Sequence, residues 1–246
     1  MTDGTEQGRA EDGLRGRTAL VTGASRGIGR RIAERLAEAG ARVSGVGRSE
    51  VDLRDLARVT GGTSLVVDLT DDVALWDALD EWVEEHGGPP DIVVNAAGTF
   101  SLESLATETL ASFDRGLAVN VRAPFIVMRA LLPGMLERGS GLFVNVGSVA
   151  GRKALPGNSA YATGKYGLRG LHEVLLEEIR GTGVRATLLE PAATDTELWD
   201  PLDPDADPSL PSRDQMLRTE DVAEAALFVS TRPDHVRIPL LQIERA

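Results

Sequence analysis

From Thr18 onward, short apolar runs alternate with longer segments whose apolar residues recur at helical spacing. The short runs are 18–22 (TALVT), 42–47 (RVSGVG), 64–68 (SLVVD), 91–95 (DIVVN), 141–148 (GLFVNVGS), 184–190 (VRATLLE) and 239–243 (PLLQI). They favour Val and Leu and are bounded by Gly, Pro, Asn or Asp, the pattern of strands buried on both faces of a parallel sheet. Between them, 28–39 sets Ile28, Ile32, Ala33 and Leu36 on one helical face, with Gly40 as its stop. The segment 71–85 opens on an acidic first turn and points Val73, Leu75, Trp76, Leu79 and Val83 inward. Segments near 108–136, 159–180 and 219–230 show the same periodicity.

Strands alternating with helices predict an α/β fold: a single extended Rossmann domain over 16–246, with a seven-stranded, mostly parallel, doubly wound sheet. Residues 1–15 are polar and aperiodic and read as a disordered tail. The stretch 191–217 breaks the alternation and holds five of the twelve prolines. It follows the carboxyl end of a predicted strand, the edge where open α/β sheets bind ligands. It reads as a substrate lid, with a surface loop of no role as the alternative.

Composition removes several chemistries. With no cysteine there is no disulfide, thiolate metal site or cysteine nucleophile. His86, His172 and His235 lack metal-ligand spacing, so no metal is expected. No apolar run approaches the roughly 20 residues of a membrane span, and the polar start lacks a signal core, so the expectation is a cytoplasmic protein without a membrane partner. The net charge of −12 argues against nucleic acid. That charge is uneven: residues 68–91 carry nine acids and no Lys or Arg, while residues 1–50 carry nine bases against seven acids. A solvated helix face explains the first, and an anionic ligand is one candidate reason for the second.

The first strand runs into Thr22-Gly23-Ala24-Ser25-Arg26-Gly27-Ile28-Gly29 and then a helix. Glycines here permit a tight turn and close backbone approach to a pyrophosphate, which the helix N-terminus then receives. A structural turn without a ligand is the alternative. Tyr161 and Lys165 lie at i and i+4, so phenol and ammonium share a helical face. An ammonium nearby lowers a phenol's pKa towards the range useful for acid–base work. The chain holds only two tyrosines and two lysines beside 24 arginines. Chance gives this spacing about 0.02 times, so the pair is informative. Ser148 ends the fifth run, where a hydroxyl can hold a reacting oxygen. Asn120 falls in an apolar helix, either distorting it to hold a proton-relaying water beside Lys165 or satisfied by neighbouring backbone.

The TGxxxGxG spacing resembles the short-chain dehydrogenase/reductase family from about Arg17 to Arg180, and less closely beyond. The resemblance implies that Asn120, Ser148, Tyr161 and Lys165 form a catalytic tetrad. It also implies a cofactor site of Gly23, Ser25, Arg26, Gly27, Ile28, Gly29, Arg48, Asp68, Leu69, Asn95, Ala96, Ala97, Gly98, Tyr161, Lys165, Pro191, Thr194 and Thr196. Arg48 follows the second strand where NAD-preferring sites usually hold an acid, and its guanidinium, with that of Arg26, suits a 2′-phosphate. NADP is therefore expected, with NAD left open by Glu50 and Asp52, and with simple solubility charges as the other reading. Asp68 matches an adenine-contacting position or serves as a helix N-cap. Asn95 either supports the central strand or touches the cofactor.

The chain departs from the family at Pro191-Ala192, where Pro-Gly is frequent, and at Gly164, where Ser or Ala is. A helical Gly costs about 1 kcal/mol against Ala. The expected activity is alcohol–carbonyl interconversion on a small molecule by a homodimer or homotetramer, the helices near 108–136 and 159–180 forming the interface. Epimerisation or dehydration with bound nicotinamide, and non-catalytic nucleotide sensing, are the rivals. Leu198, Trp199, Leu202 and Leu210 offer apolar contact. An anionic substrate is disfavoured unless Arg152 or Lys153 meets it.

Overall fold

The computed structural model describes residues 13–246. Most of the tail expected at 1–15 lies outside that range, but its last residues belong to the fold. Leu14 is buried, and its N–H donates to the Ala39 carbonyl at 2.8 Å. One apolar side chain in a polar segment was enough to anchor it.

Strands β1 (Thr18–Thr22), β2 (Arg42–Gly47), β3 (Thr63–Val66), β4 (Ile92–Asn95), β5 (Gly141–Val146), β6 (Val184–Pro191) and β7 (Leu240–Ile243) pair in the order β3-β2-β1-β4-β5-β6-β7, all parallel. The order reverses between β1 and β4, which opens a crevice at the strands' carboxyl ends. Alternate residues feed two cores. Val21, Val94 and Val144 face one, while Leu20, Val93 and Phe143 face the other.

Helix α1 (Gly27–Glu38) supplies Ile32, Ala33 and Leu36 to the first core. Helix α2 (Glu50–Thr60) corresponds to no predicted segment. It starts on a Ser49 side-chain cap, ends at a left-handed Gly61, and buries Leu53 and Leu56. Helix α3 (Asp72–His86) packs Leu75, Trp76, Leu79 and Val83 inward as expected, but Val73 is 70% exposed and Trp82 is buried instead. The Trp82 indole donates to Ser44 Oγ at 3.0 Å, which explains why the bulkier ring, with a polar end to satisfy, goes inward.

Helix α4 (Leu110–Leu117) passes through a π-helical turn at Ala118–Arg122 into α5 (Ala123–Arg138). This continuous helix is, among the described residues, the one long and apolar enough to cross a membrane. No such run was expected from the sequence. Its Val127, Leu131 and Met135 are buried in the second core, so its apolarity is that of a core helix. Helices α6 (Ser159–Glu178) and α7 (Thr219–Ser230) complete the layers.

Candidate active site

β1 leads into Gly23, whose φ is +68°. A Cβ there would stand 2.6 Å from Ala97 Cα, so the turn out of β1 and the loop after β4 touch backbone to backbone. Gly23→Ala should cost about 3 kcal/mol or more in urea unfolding. Gly61 shares the left-handed conformation (φ +66°) but has open space around it. Gly61→Ala should cost only about 1 kcal/mol, and equal losses at both positions would refute the close-approach argument.

The turn enters α1 at Arg26, whose side chain provides no cap, and the first turn holds no acid. Helices α2, α3 and α4 all have side-chain caps, from Ser49, Asp71 and Thr109. The leading N–H groups and positive end of α1 are thus uncapped by their own turn, with Glu197 Oε2 of the 191–217 segment 3.4 Å from where a Gly27 Cβ would stand.

A cavity of about 1120 Å³ lies over this turn and runs along the carboxyl ends of the sheet. Every expected site residue lines it except Asn95 and Asn120. At one end Arg48, 58% exposed, stands 3.8 Å from Asp68. The Asp68 carboxylate accepts hydrogen bonds from Thr70 N (2.9 Å) and Thr70 Oγ1 (2.8 Å), which hold its pKa below the ordinary value. The cap of α3 is Asp71, so Asp68 is not an N-cap. The basic start of the chain has a second explanation as well. Arg30 pairs with Asp55, while Arg31 and Arg35 pair with Glu220 of α7. Of the described arginines before residue 50, only Arg26 and Arg48 line the cavity.

Asn95, read either as a support of the central strand or as a cofactor contact, does not line the cavity and makes the strand contact. Its amide donates to Asn145 Oδ1 at 2.8 Å, across the β4–β5 register pair. Asn145 in turn meets His172 Nδ1 (3.2 Å), and His172 Nε2 reaches the Pro239 carbonyl (2.9 Å). Burial lowers the His172 pKa, in keeping with a neutral ring whose Nε2–H donates.

Ser148 follows β5 and caps a short 3₁₀ turn (Val149–Gly151), its Oγ accepting from Ala150 N at 3.1 Å. Tyr161 and Lys165 lie one turn apart on α6, with the Lys165 nitrogen 5.7 Å from the Tyr161 ring centroid. Lys165 is buried, and its ammonium donates to the Val146 carbonyl at 2.8 Å. Desolvation lowers its pKa from 10.5 to about 8. The Tyr161 phenol moves opposite to the sequence expectation. Burial raises its pKa, opposed only by a hydrogen bond with Ser148. In the protein alone the Lys165 ammonium donates to Val146, and desolvation decides the direction at the phenol.

Asn120 sits in the π turn, so the predicted helix distortion is present. Its amide is closed on backbone: Thr99 N donates to Oδ1 (3.1 Å) and Nδ2 donates to the Thr99 carbonyl (2.9 Å). Gly98 separates it from Lys165, since a Cβ there would lie 3.4 Å from Asn120 Oδ1 and 3.8 Å from Lys165 Nζ. Gly164 has a use that its helix propensity hid. A Cβ on it would stand 2.8 Å from Asn120 Cβ.

Residues 191–217 form an ordered strap across the cavity. Its base is closed by Leu217 N–Ala193 O and Asp195 N–Leu217 O, both 2.8 Å. Arg213 staples it, pairing with Asp195 (2.5 Å), Asp200 (2.7 Å) and Asp205 (3.9 Å). Thr194 is buried, and Thr196 packs over Gly27. Arg152 is consumed by Glu190 and Glu244, and neither it nor Lys153 lines the cavity. Sequence reasoning missed Phe100, which meets both Tyr161 and Trp199. Its only signal was an aromatic two residues beyond the small-residue turn.

A doubly wound parallel sheet with its crevice at the strand-order reversal defines a Rossmann-class protein. The short chain dehydrogenase family model matches residues 17–207. A short chain dehydrogenase of Pseudocercospora fijiensis is 39% identical over 202 residues, covering 79% of this chain and 65% of that protein. An uncharacterized oxidoreductase of Staphylococcus epidermidis is 30% identical over 225 residues, covering 90% of this chain and 94% of its own. The crystal structure of a metagenomic short-chain oxidoreductase in complex with NADP aligns at TM-score 0.81 and 30% identity, over 95% of this chain and 99% of that one. The chain belongs to the short-chain dehydrogenase/reductase family and is an NAD(P)-dependent oxidoreductase. The uncapped α1 and the cavity's span from Arg48 to Tyr161 suit a dinucleotide.

Proposed function

We propose that the protein interconverts an alcohol and a ketone or aldehyde with NADP(H), using Tyr161 as proton donor in reduction and acceptor in oxidation. The observation that carries this reading is one cavity with Ser148, Tyr161 and Lys165 on its wall and Arg26 and Arg48 at its other end. When bound, the nicotinamide supplies or takes up hydride at the substrate carbon. Tyr161 Oη passes its proton to the carbonyl oxygen. Ser148 Oγ hydrogen-bonds that oxygen and stabilises its growing charge. Lys165 stabilises the phenolate left behind and holds ribose hydroxyls. Asn120, locked on Thr99, keeps the π turn in shape for proton resupply to Lys165. The strap over the cavity acts as the substrate lid.

Absorbance of the free nicotinamide pool tests the reaction: net change with a carbonyl and alcohol panel supports it, and none with any member favours internal recycling. Arg26 and Arg48 are free of carboxylate hydrogen bonds among the described residues and are assigned the 2′-phosphate. The double variant Arg26→Ala/Arg48→Ala should raise KM for NADPH at least about tenfold and leave NADH within about threefold. Equal change for both cofactors would remove the NADP assignment.

We also infer a homodimer or homotetramer. Phe125 on α5 and Tyr166 and Val174 on α6 are about half exposed, on the two helices expected at the interface. Sedimentation should return a multiple of 26.2 kDa.

A further inference from the structure

The cavity beyond Tyr161 has a composition that hydride transfer does not require. Phe100 packs edge-on against Tyr161 (centroids 4.9 Å, 73°) and tilted against Trp199 of the strap (4.9 Å, 58°). The chain has three Trp, two Tyr and five Phe, so three of its ten aromatic rings meet at one place. Leu102, Leu155 and Leu210 line the same cavity. These are flat and apolar walls, suited to a flat and apolar group.

Charge sharpens the reading. The lining cations are Arg26, Arg48, Arg115 and Lys165. The first lies in the glycine turn, and Arg48 and Arg115 both act on Asp68, so these three belong to the far end. Lys165 is held by Val146. Among the lining residues no cation is left to receive an anion beside Phe100 and Trp199, whereas Glu103 and Asp207 are available to repel one, and a third carboxylate, Glu197 of the strap, lies over Gly27. Glu103 is tied to the segment before Tyr161, its N–H donating to the Gly157 carbonyl at 2.7 Å. Asp207 of the strap lines the cavity, and the N–H and hydroxyl of Ser209 keep it ionised.

Resting on the proposed alcohol–carbonyl reaction, we propose that this site selects carbonyl compounds bearing a flat apolar group beside the reacting carbon and rejects those bearing a carboxylate or phosphate. An ammonium group at the outer end is accepted.

The test compares three matched aryl methyl ketones with NADPH: the neutral compound, its para-carboxylate and its para-trimethylammonium analogue. At low salt, kcat/KM for the neutral and ammonium ketones should exceed that of the carboxylate at least about tenfold. The gap should narrow in Glu103→Gln/Asp207→Asn. Trp199→Leu, which keeps an apolar side chain but loses the flat ring, should raise KM for the neutral ketone about fivefold or more, with less effect on kcat. Turnover of the carboxylate as good as that of the neutral ketone, or an unchanged KM in Trp199→Leu, overturns the substrate class. If no ketone is turned over, the reaction reading fails, and tryptophan fluorescence decides the substrate class separately. Quenching by the neutral ketone and not by the carboxylate sustains it. Equal quenching by both, or quenching by neither, overturns it.

Discussion

Tyr161→Phe is expected to lower kcat by about a thousandfold or more while NADPH binds within about threefold of wild type. The proton in reduction has one positioned source. Ser148 Oγ accepts from Ala150 N and keeps an alcohol proton that is too weakly acidic to be given up, so it serves as a hydrogen-bond donor only, and the Lys165 ammonium donates to the Val146 carbonyl. The ring keeps its edge contact with Phe100 when the hydroxyl is lost, so the fold and cavity wall should persist. Single-turnover kinetics and a fluorescence titration with NADPH separate the two quantities. Retained turnover in this variant would end the assignment of Tyr161 as the acid–base group.

Lys165→Met should also abolish turnover, and its stability should carry a signature that an exposed lysine would not. Burial lowers the Lys165 pKa from 10.5 to about 8. Below pH 8 both folded and unfolded chains hold the proton, and the folded state bears the full penalty of a buried ammonium. Between pH 8 and 10.5 the unfolded chain keeps a proton that the folded one has released, so wild-type stability gains from this group as pH rises. Methionine has no such dependence. The stability of Lys165→Met relative to wild type should therefore fall on the order of 3 kcal/mol from pH 7 to above pH 10. Denaturant titrations at several pH values read it directly. A flat difference would mean that Lys165 has an ordinary pKa, and with it the argument for a poised ammonium fails.

Much of the fold was legible because its elements announce themselves locally. The seven apolar runs are short, Val- and Leu-rich and bounded by breakers, and all seven became strands. The sequence could not show that Val73 faces out and Trp82 in, because both are apolar and only the third dimension offers the indole its partner in Ser44. Helix α2 was overlooked although Ser49, Leu53, Leu56 and Gly61 mark its cap, its buried side and its stop. The glycine turn, Ser148, Tyr161 and Lys165 lie at one cavity as their spacing implied. Asn95 stayed open between two readings because its partner is Asn145, fifty residues away and adjacent only across the sheet. The upward shift of the Tyr161 phenol was likewise invisible, since i,i+4 spacing brings the ammonium near but says nothing of the Val146 carbonyl that captures it. Gly164 reads as a helix weakness in one dimension and as room for Asn120 in three.

The near-absence of lysine turns the buried ammonium into a practical asset. Of the two lysines, Lys165 is sealed inside, and Lys153 is exposed on the loop between Ser148 and Tyr161, whose Leu155 lines the cavity. The remaining positive charge is arginine, which amine-reactive dyes ignore, and there is no cysteine to compete. Apart from the chain terminus, such a dye attaches at one place. The native sequence thus accepts a fluorophore beside the cavity without a single substitution, and strap movement could be followed from that position in real time.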